Sequence, residues 1–326
     1  MRSFARAGAA IAGALVLGLI QSSAFAQAFP TKPVRVVVPV PPGGLQDSLT
    51  RAVAQELSVL WGSAVVAENR PGAGGITAAD AIAKAAPDGH SILMADGVPL
   101  TITPFLNRNI PYDPIRDFAP VAGLAQSSSV VIAPPDAPFN SIPELLARAR
   151  ARPGDVSYGS FGVGAGNHLS TERLALLTGV KFLHVPYKGG VDVMRALMAN
   201  EIDFSLTGMT ATLPLIKQGR LKVIGWAGSQ RTAALPNVPT IGETQPGFSQ
   251  VSFFGWWVPA ATPRAVIERI ATDLSRVLAN PAFSDKNITG VGLEPLNIGT
   301  EKFAELVRTE RVHNEEVVRR LNLKLD

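Results

Sequence analysis

Two stretches of this chain repeat the same order of local signals, and that order restricts the fold to alternating strands and helices. The first is the β-branched run Val34 to Val38, a turn-forming segment with Pro41, Pro42, Gly43 and Gly44, then the helical spacing Leu49, Val53, Leu57 and Leu60. The second is Val156 to Tyr158, a loop with Ser160, Gly162, Gly164, Ala165 and Gly166, then the spacing Leu169, Leu174 and Leu177. Each reads as a buried strand, a glycine-rich loop and a helix N-terminus. First-turn N–H groups have no carbonyl partner inside their helix, and the helix dipole adds partial positive charge there. Such a junction attracts anions. Two of them point to two jaws closing on one negatively charged ligand.

The alternation continues along the chain. Strands are expected at 34–38, 64–67, 91–95, 120–124, 129–133, 156–158, 182–185, 203–206, 222–226, 251–258 and 291–296. Helices are expected at 47–60, 76–86, 141–152, 168–178, 190–200, 211–218, 263–279 and 300–321. Ser141 and Glu144 form a capping box with Pro143 in the first turn. Apolar strands alternating with helices predict an α/β protein with mainly parallel sheets. The length suits two lobes with a cleft between them. Lobe 1 is expected to comprise 27–122 plus 250–326, and lobe 2 to comprise 123–249.

The start of the chain has a different character. Arg2 and Arg6 precede an apolar stretch from Ala7 to Ile20, and Ala24-Phe25-Ala26 fits a cleavage site. This pattern predicts a secretory signal peptide over 1–26, cut after Ala26, and hence an exported protein. The apolar stretch is too short for a transmembrane anchor. Removing 26 of the 326 residues leaves 300, ample for a sizeable core. There is no cysteine, which excludes disulfides, thiolate metal sites, cysteine nucleophiles and a lipid-anchored lipoprotein. The chain has 30 Lys+Arg and 26 Asp+Glu. Two of those arginines leave with the leader, so the mature charge is about +2, with no basic cluster of the kind nucleic acid needs. His90, His168, His184 and His313 show no metal-ligand spacing, so no metal and no cofactor is expected. No G-x-S-x-G is present; the nearest approach, around Ser160, misses by one position.

Further motifs carry a resemblance. Glu68-Asn69-Arg70-Pro71-Gly72-Ala73-Gly74-Gly75, Ala85-Ala86-Pro87-Asp88-Gly89, Asp117-Phe118-Ala119-Pro120-Val121, His184-Val185-Pro186-Tyr187-Lys188-Gly189-Gly190 and Leu235-Pro236-Asn237-Val238-Pro239-Thr240 follow one another in order. With Pro41 to Gly44, Asp47 and Tyr158-Gly159-Ser160, the set resembles the substrate-binding proteins of the tripartite tricarboxylate transporter family, also called Bug proteins. The likeness covers essentially all of 29–326. It implies a two-lobed, type II periplasmic binding-protein fold that closes like a flytrap. It also implies a small organic carboxylate as ligand, held between the two glycine-rich loops. The implied partner is a membrane transporter of two integral subunits.

Mapped onto this chain, the expected ligand-binding residues are Pro42, Gly43, Gly44, Leu45, Gln46 and Asp47 in the first loop. In the second they are Ser160, Gly162, Gly164, Ala165, Asn167 and His168, with Tyr187 and Thr207 after neighbouring strands. Asp47 reads better as a helix N-cap than as a ligand group, because a carboxylate repels an anion. Leu45 stands where the family usually has glycine, and Leu45, Gln46 and Thr207 together incline the reading toward a partly apolar acid. That inclination fails if Leu45 points into the first lobe. Dicarboxylates, tricarboxylates, aromatic carboxylates and amino acids all satisfy two anion-seeking loops. No catalytic residue and a monomer are expected. A ligand sensor for a membrane receptor, or an exported hydrolase built on Ser160, are the alternative functions.

Overall fold

The structure is a computed structural model. It describes residues 29–323 apart from 108, 128, 229–230, 233–234, 249 and 251. The expected signal peptide over 1–26 lies outside the described residues.

In chain order the elements are β1 (Val34–Val38), α1 (Leu45–Trp61), β2 (Val65–Asn69), α2 (Ile76–Ala83), β3 (Ser91–Ala95), α3 (Val98–Thr101), α4 (Thr103–Leu106), β4 (Phe118–Ser127) and β5 (Ser129–Ala133). Next come α5 (Ile142–Ala151), β6 (Ser157–Ser160), α6 (Gly166–Thr178), β7 (Leu183–Pro186), α7 (Gly190–Met198), β8 (Ser205–Gly208), α8 (Met209–Lys217), β9 (Lys222–Trp226) and α9 (Ile241–Thr244). The chain ends with β10 (Ser252–Pro259), α10 (Arg264–Leu278), α11 (Pro281–Asn287), β11 (Glu294–Ile298) and α12 (Thr300–Leu321). Among the described residues no helix is long and apolar enough to cross a membrane.

A six-stranded sheet has the order β11-β4-β10-β3-β1-β2. Val34, Val36 and Val38 of β1 are fully buried in one apolar cluster with Leu49, Val53 and Leu57 of α1. Val37 points to the opposite face, with Ala78 and Ile82 of α2. Alternate side chains of one strand thus feed two helical layers.

The second body holds β8-β5-β9 and the pair β6-β7, linked by a bridge between Tyr158 and Phe204. Its core gathers Tyr158, Phe204, Phe139, Leu145 and Leu174.

The sheets are mixed rather than mainly parallel. β1 pairs in parallel with β2 and β3, and β6 with β7, but β10 is antiparallel to β3 and β4, and β5 to β8 and β9. The reason is connectivity. β4 leads the chain out of the first sheet and β10 brings it back, and two neighbouring strands carrying opposite traffic must run antiparallel. β4 stays in the first sheet as far as Ser127, beyond the crossing expected near 122.

Candidate functional site

The first loop is shaped by Asp47. Helix α1 starts at Leu45 with Gly44 as N-cap, two residues earlier than the apolar spacing predicts. Asp47 is therefore inside the first turn rather than at the N-cap. Its buried carboxylate reaches back to accept from Gly43 N (2.9 Å), and also from Arg51 Nε (3.0 Å) and Asn69 Nδ2 (2.8 Å). The Arg51 hydrogen bond, helped by Gly43 and Asn69, brings its carboxyl down to about 2. Asp47 is thus committed to the scaffold. Gly43 adopts φ +91°, a left-handed conformation that favours glycine, and this lets its N–H meet Asp47.

Pro42, Gly43 and Gly44 are exposed. Leu45 is half-buried and packs against the first-sheet core, so the inclination toward an apolar acid loses its main support. Gln46 is 5 % exposed, and among the described residues its Nε2 has no hydrogen-bond partner.

The second loop ties itself together. Gly162 N donates to Ser160 Oγ (3.2 Å), Gly164 N to His168 Nδ1 (3.0 Å), Ala165 N to Gly162 O (3.2 Å) and Phe161 N to Asn167 Oδ1 (3.2 Å). These amides shape the loop. Helix α6 opens after Ala165 with no side-chain cap, so its first-turn N–H groups are the ones left for an anion. Asn167 Nδ2 is buried without a partner among the described residues.

Ser160 has no exposed surface, and its Oγ lies 2.6 Å from His184 Nε2. A serine–histidine contact is also a nucleophile's geometry, but a nucleophile must reach substrate, and this hydroxyl is enclosed and turned to Gly162 O. His168 and His184 stack at 4.0 Å between centroids, with Tyr158 stacked 4.9 Å from His184. Burial, and the neighbouring His184, lower His168 to about 4; burial lowers His184 as well. Both rings are neutral at pH 7. The bond from Gly164 N assigns His168 Nδ1 as the unprotonated acceptor.

Tyr187 is half-buried against the cluster around Val193 and Ile202. Thr207 is 3 % exposed in β8, opposite Val130. Neither stands among the residues around the first loop's cavity.

That cavity, of 320 Å³, is lined only by elements of the first sheet: Pro39 to Pro41, Gln46, Pro71 to Gly75, Asp96, Val98 and Pro99. Of the expected site residues it includes only Gln46. The segment Gly72 to Gly75 forms one wall, and Asp96, which no motif marked, lines another part of the cavity. The available signal for Asp96 was its place directly after β3, where open α/β sheets present ligand groups.

Comparison with known proteins decides the family. The model for the tripartite tricarboxylate transporter family receptor matches residues 49–323. The chain belongs to this receptor family. A UPF0065 protein in the tcbD-tcbE intergenic region of Pseudomonas sp. (strain P51) is 36 % identical over 301 residues, covering 91 % of this chain and 89 % of the relative. A solved structure of R. palustris Rpa4515 with adipate is 30 % identical, with a TM-score of 0.74, covering 91 % of this chain and all of that one. The periplasmic binding protein BugD is likewise 30 % identical, with a TM-score of 0.70 over 91 % of this chain and all of BugD. This receptor therefore has the two-lobed type II periplasmic binding fold, and a periplasmic location follows from its family.

Proposed function

We propose that the protein captures a small organic carboxylate between its two glycine-rich loops and delivers it to a membrane transporter of two integral subunits. One observation carries the reading. Each loop opens a helix, and the first turn of each helix holds a buried carboxamide donor with no partner among the described residues: Gln46 Nε2 and Asn167 Nδ2. A buried polar group without a partner costs about 1–3 kcal/mol, and a ligand oxygen recovers that cost. The adipate bound by the R. palustris relative is an acid of the matching class.

In this reading the lobes meet where the chain crosses after Ser127 and again before Ser252, and closure brings the α6 N-terminus over the α1 N-terminus. The protein binds its ligand and releases it unchanged, with no catalytic step. Export uses the leader cut after Ala26. Isothermal titration of refolded, ligand-free protein with aliphatic, aromatic and amino acids tests the proposal. At least one acid binds, and Gln46→Leu and Asn167→Leu each weaken it about tenfold, the worth of a hydrogen bond to a charged group. Silence across the panel overturns the reading.

A further inference from the structure

Among the described residues, the 320 Å³ cavity beside the first loop is lined by the two polar side chains Gln46 and Asp96 and by no lysine, arginine or histidine. Asp96 sits in the turn between β3 and α3. Its Oδ1 accepts from Val98 N at 3.2 Å, and among the described residues it forms no ion pair. Gln46, on the same lining, presents its unpartnered Nε2. One wall therefore offers a donor that seeks an acceptor and a carboxylate that accepts only.

We propose that Asp96 pairs with a ligand ammonium, so that the ligand is an α-amino acid rather than a simple carboxylic acid. This rests on the carboxylate reading given above. The ligand's carboxylate lies toward the helix N-termini and the Gln46 amide, and its ammonium lies toward Asp96. The two ends of a zwitterion thereby match a site whose own charge is negative in the pocket and partially positive at the loops. A second ligand carboxylate placed in this pocket would meet Asp96 with like charge. Burial pushes the Asp96 carboxyl above the usual carboxylate range, so the surrounding protein compensates the charge poorly. A cation delivered by the ligand supplies that compensation.

Three matched pairs test the proposal by titration on ligand-free protein at pH 7.5: glutamate with glutarate, leucine with 4-methylpentanoate, and phenylalanine with 3-phenylpropanoate. In at least one pair the wild type is expected to bind the amino acid at least tenfold more tightly than its des-amino partner, and Asp96→Asn brings that ratio close to one. The wild-type comparison needs no variant, so it stands even where Asp96→Asn folds poorly. Tighter binding of the des-amino acids, or a tenfold preference that Asp96→Asn leaves intact, overturns the role of Asp96 while the carboxylate reading survives. Binding of neither series overturns both.

Discussion

At the scale of the residue, His168 ties the second loop to pH. Its neutral Nδ1 accepts from Gly164 N, and protonation turns that acceptor into a donor facing another donor. The sign of the stability effect follows from the lowered value. The unfolded imidazole takes a proton below about pH 6.5, whereas the native one resists until about 4. Native stability is therefore lost as pH falls through this window, by roughly 3 kcal/mol for a shift of this size. Urea denaturation at pH 7 and pH 4.5 reads this loss together with that of His184, and comparison with His168→Asn separates the two. His168→Asn keeps an acceptor near Nδ1 and retains ligand affinity better than His168→Leu, which leaves Gly164 N–H unpaired; equal affinities would refute the loop-tying role. Leu45 makes the contrasting case. It packs on the first-lobe core, so Leu45→Ala lowers stability by about 1 kcal/mol. The ranking of aromatic against aliphatic acids stays unchanged in the same titrations.

At the scale of the element, what was readable in the sequence depended on length and periodicity. The strands 34–38, 91–95, 129–133 and 222–226 and the helix 300–321 lie where their patterns put them. The one-turn helices α3, α4 and α9 were missed because four residues cannot display a helical period. Both loops were readable as strand–glycine–helix junctions, with Gln46 and Asn167 in the first turns of the helices they open. The division of labour inside each loop was not readable. Which amide meets Asp47, His168 or Ser160 depends on side chains that only the folded backbone brings round.

Helix α12 adds a contact between lobes that no local pattern announced. Its Phe303 belongs to the first-lobe core. Further along, Val317 and Val318 pack with Ile102 and Leu106 of the first lobe and Leu169 of α6 in the second. Arg173 of α6 faces the same helix, 4.0 Å from Glu310. Val318→Ala removes two buried methyl groups and costs about 2 kcal/mol. Scanning calorimetry checks it; a loss below a few tenths of a kcal/mol would show that the seam does not join the lobes.

At the scale of the whole molecule, the two lobes are connected through β4 and β10, neighbours in one sheet. In the proposed capture, closure about this paired base would move the second lobe as a body while the six-stranded sheet stays intact. X-ray scattering is expected to show a smaller radius of gyration with ligand than without.

The place of β10 also bears on how the chain is made. It sits between β3 and β4, so the first sheet has a gap at its middle until residues 252–259 arrive. The strands of the second lobe, from Ser129 to Trp226, are contiguous in sequence and need nothing from the C-terminal quarter for their own pairing. A nascent chain emerging N-terminus first would thus complete its second lobe before its first. Strands β1 to β3 would then wait longest for the strand that completes their sheet. Protease treatment of chains truncated at 250 should then spare the second lobe and digest residues 34–95.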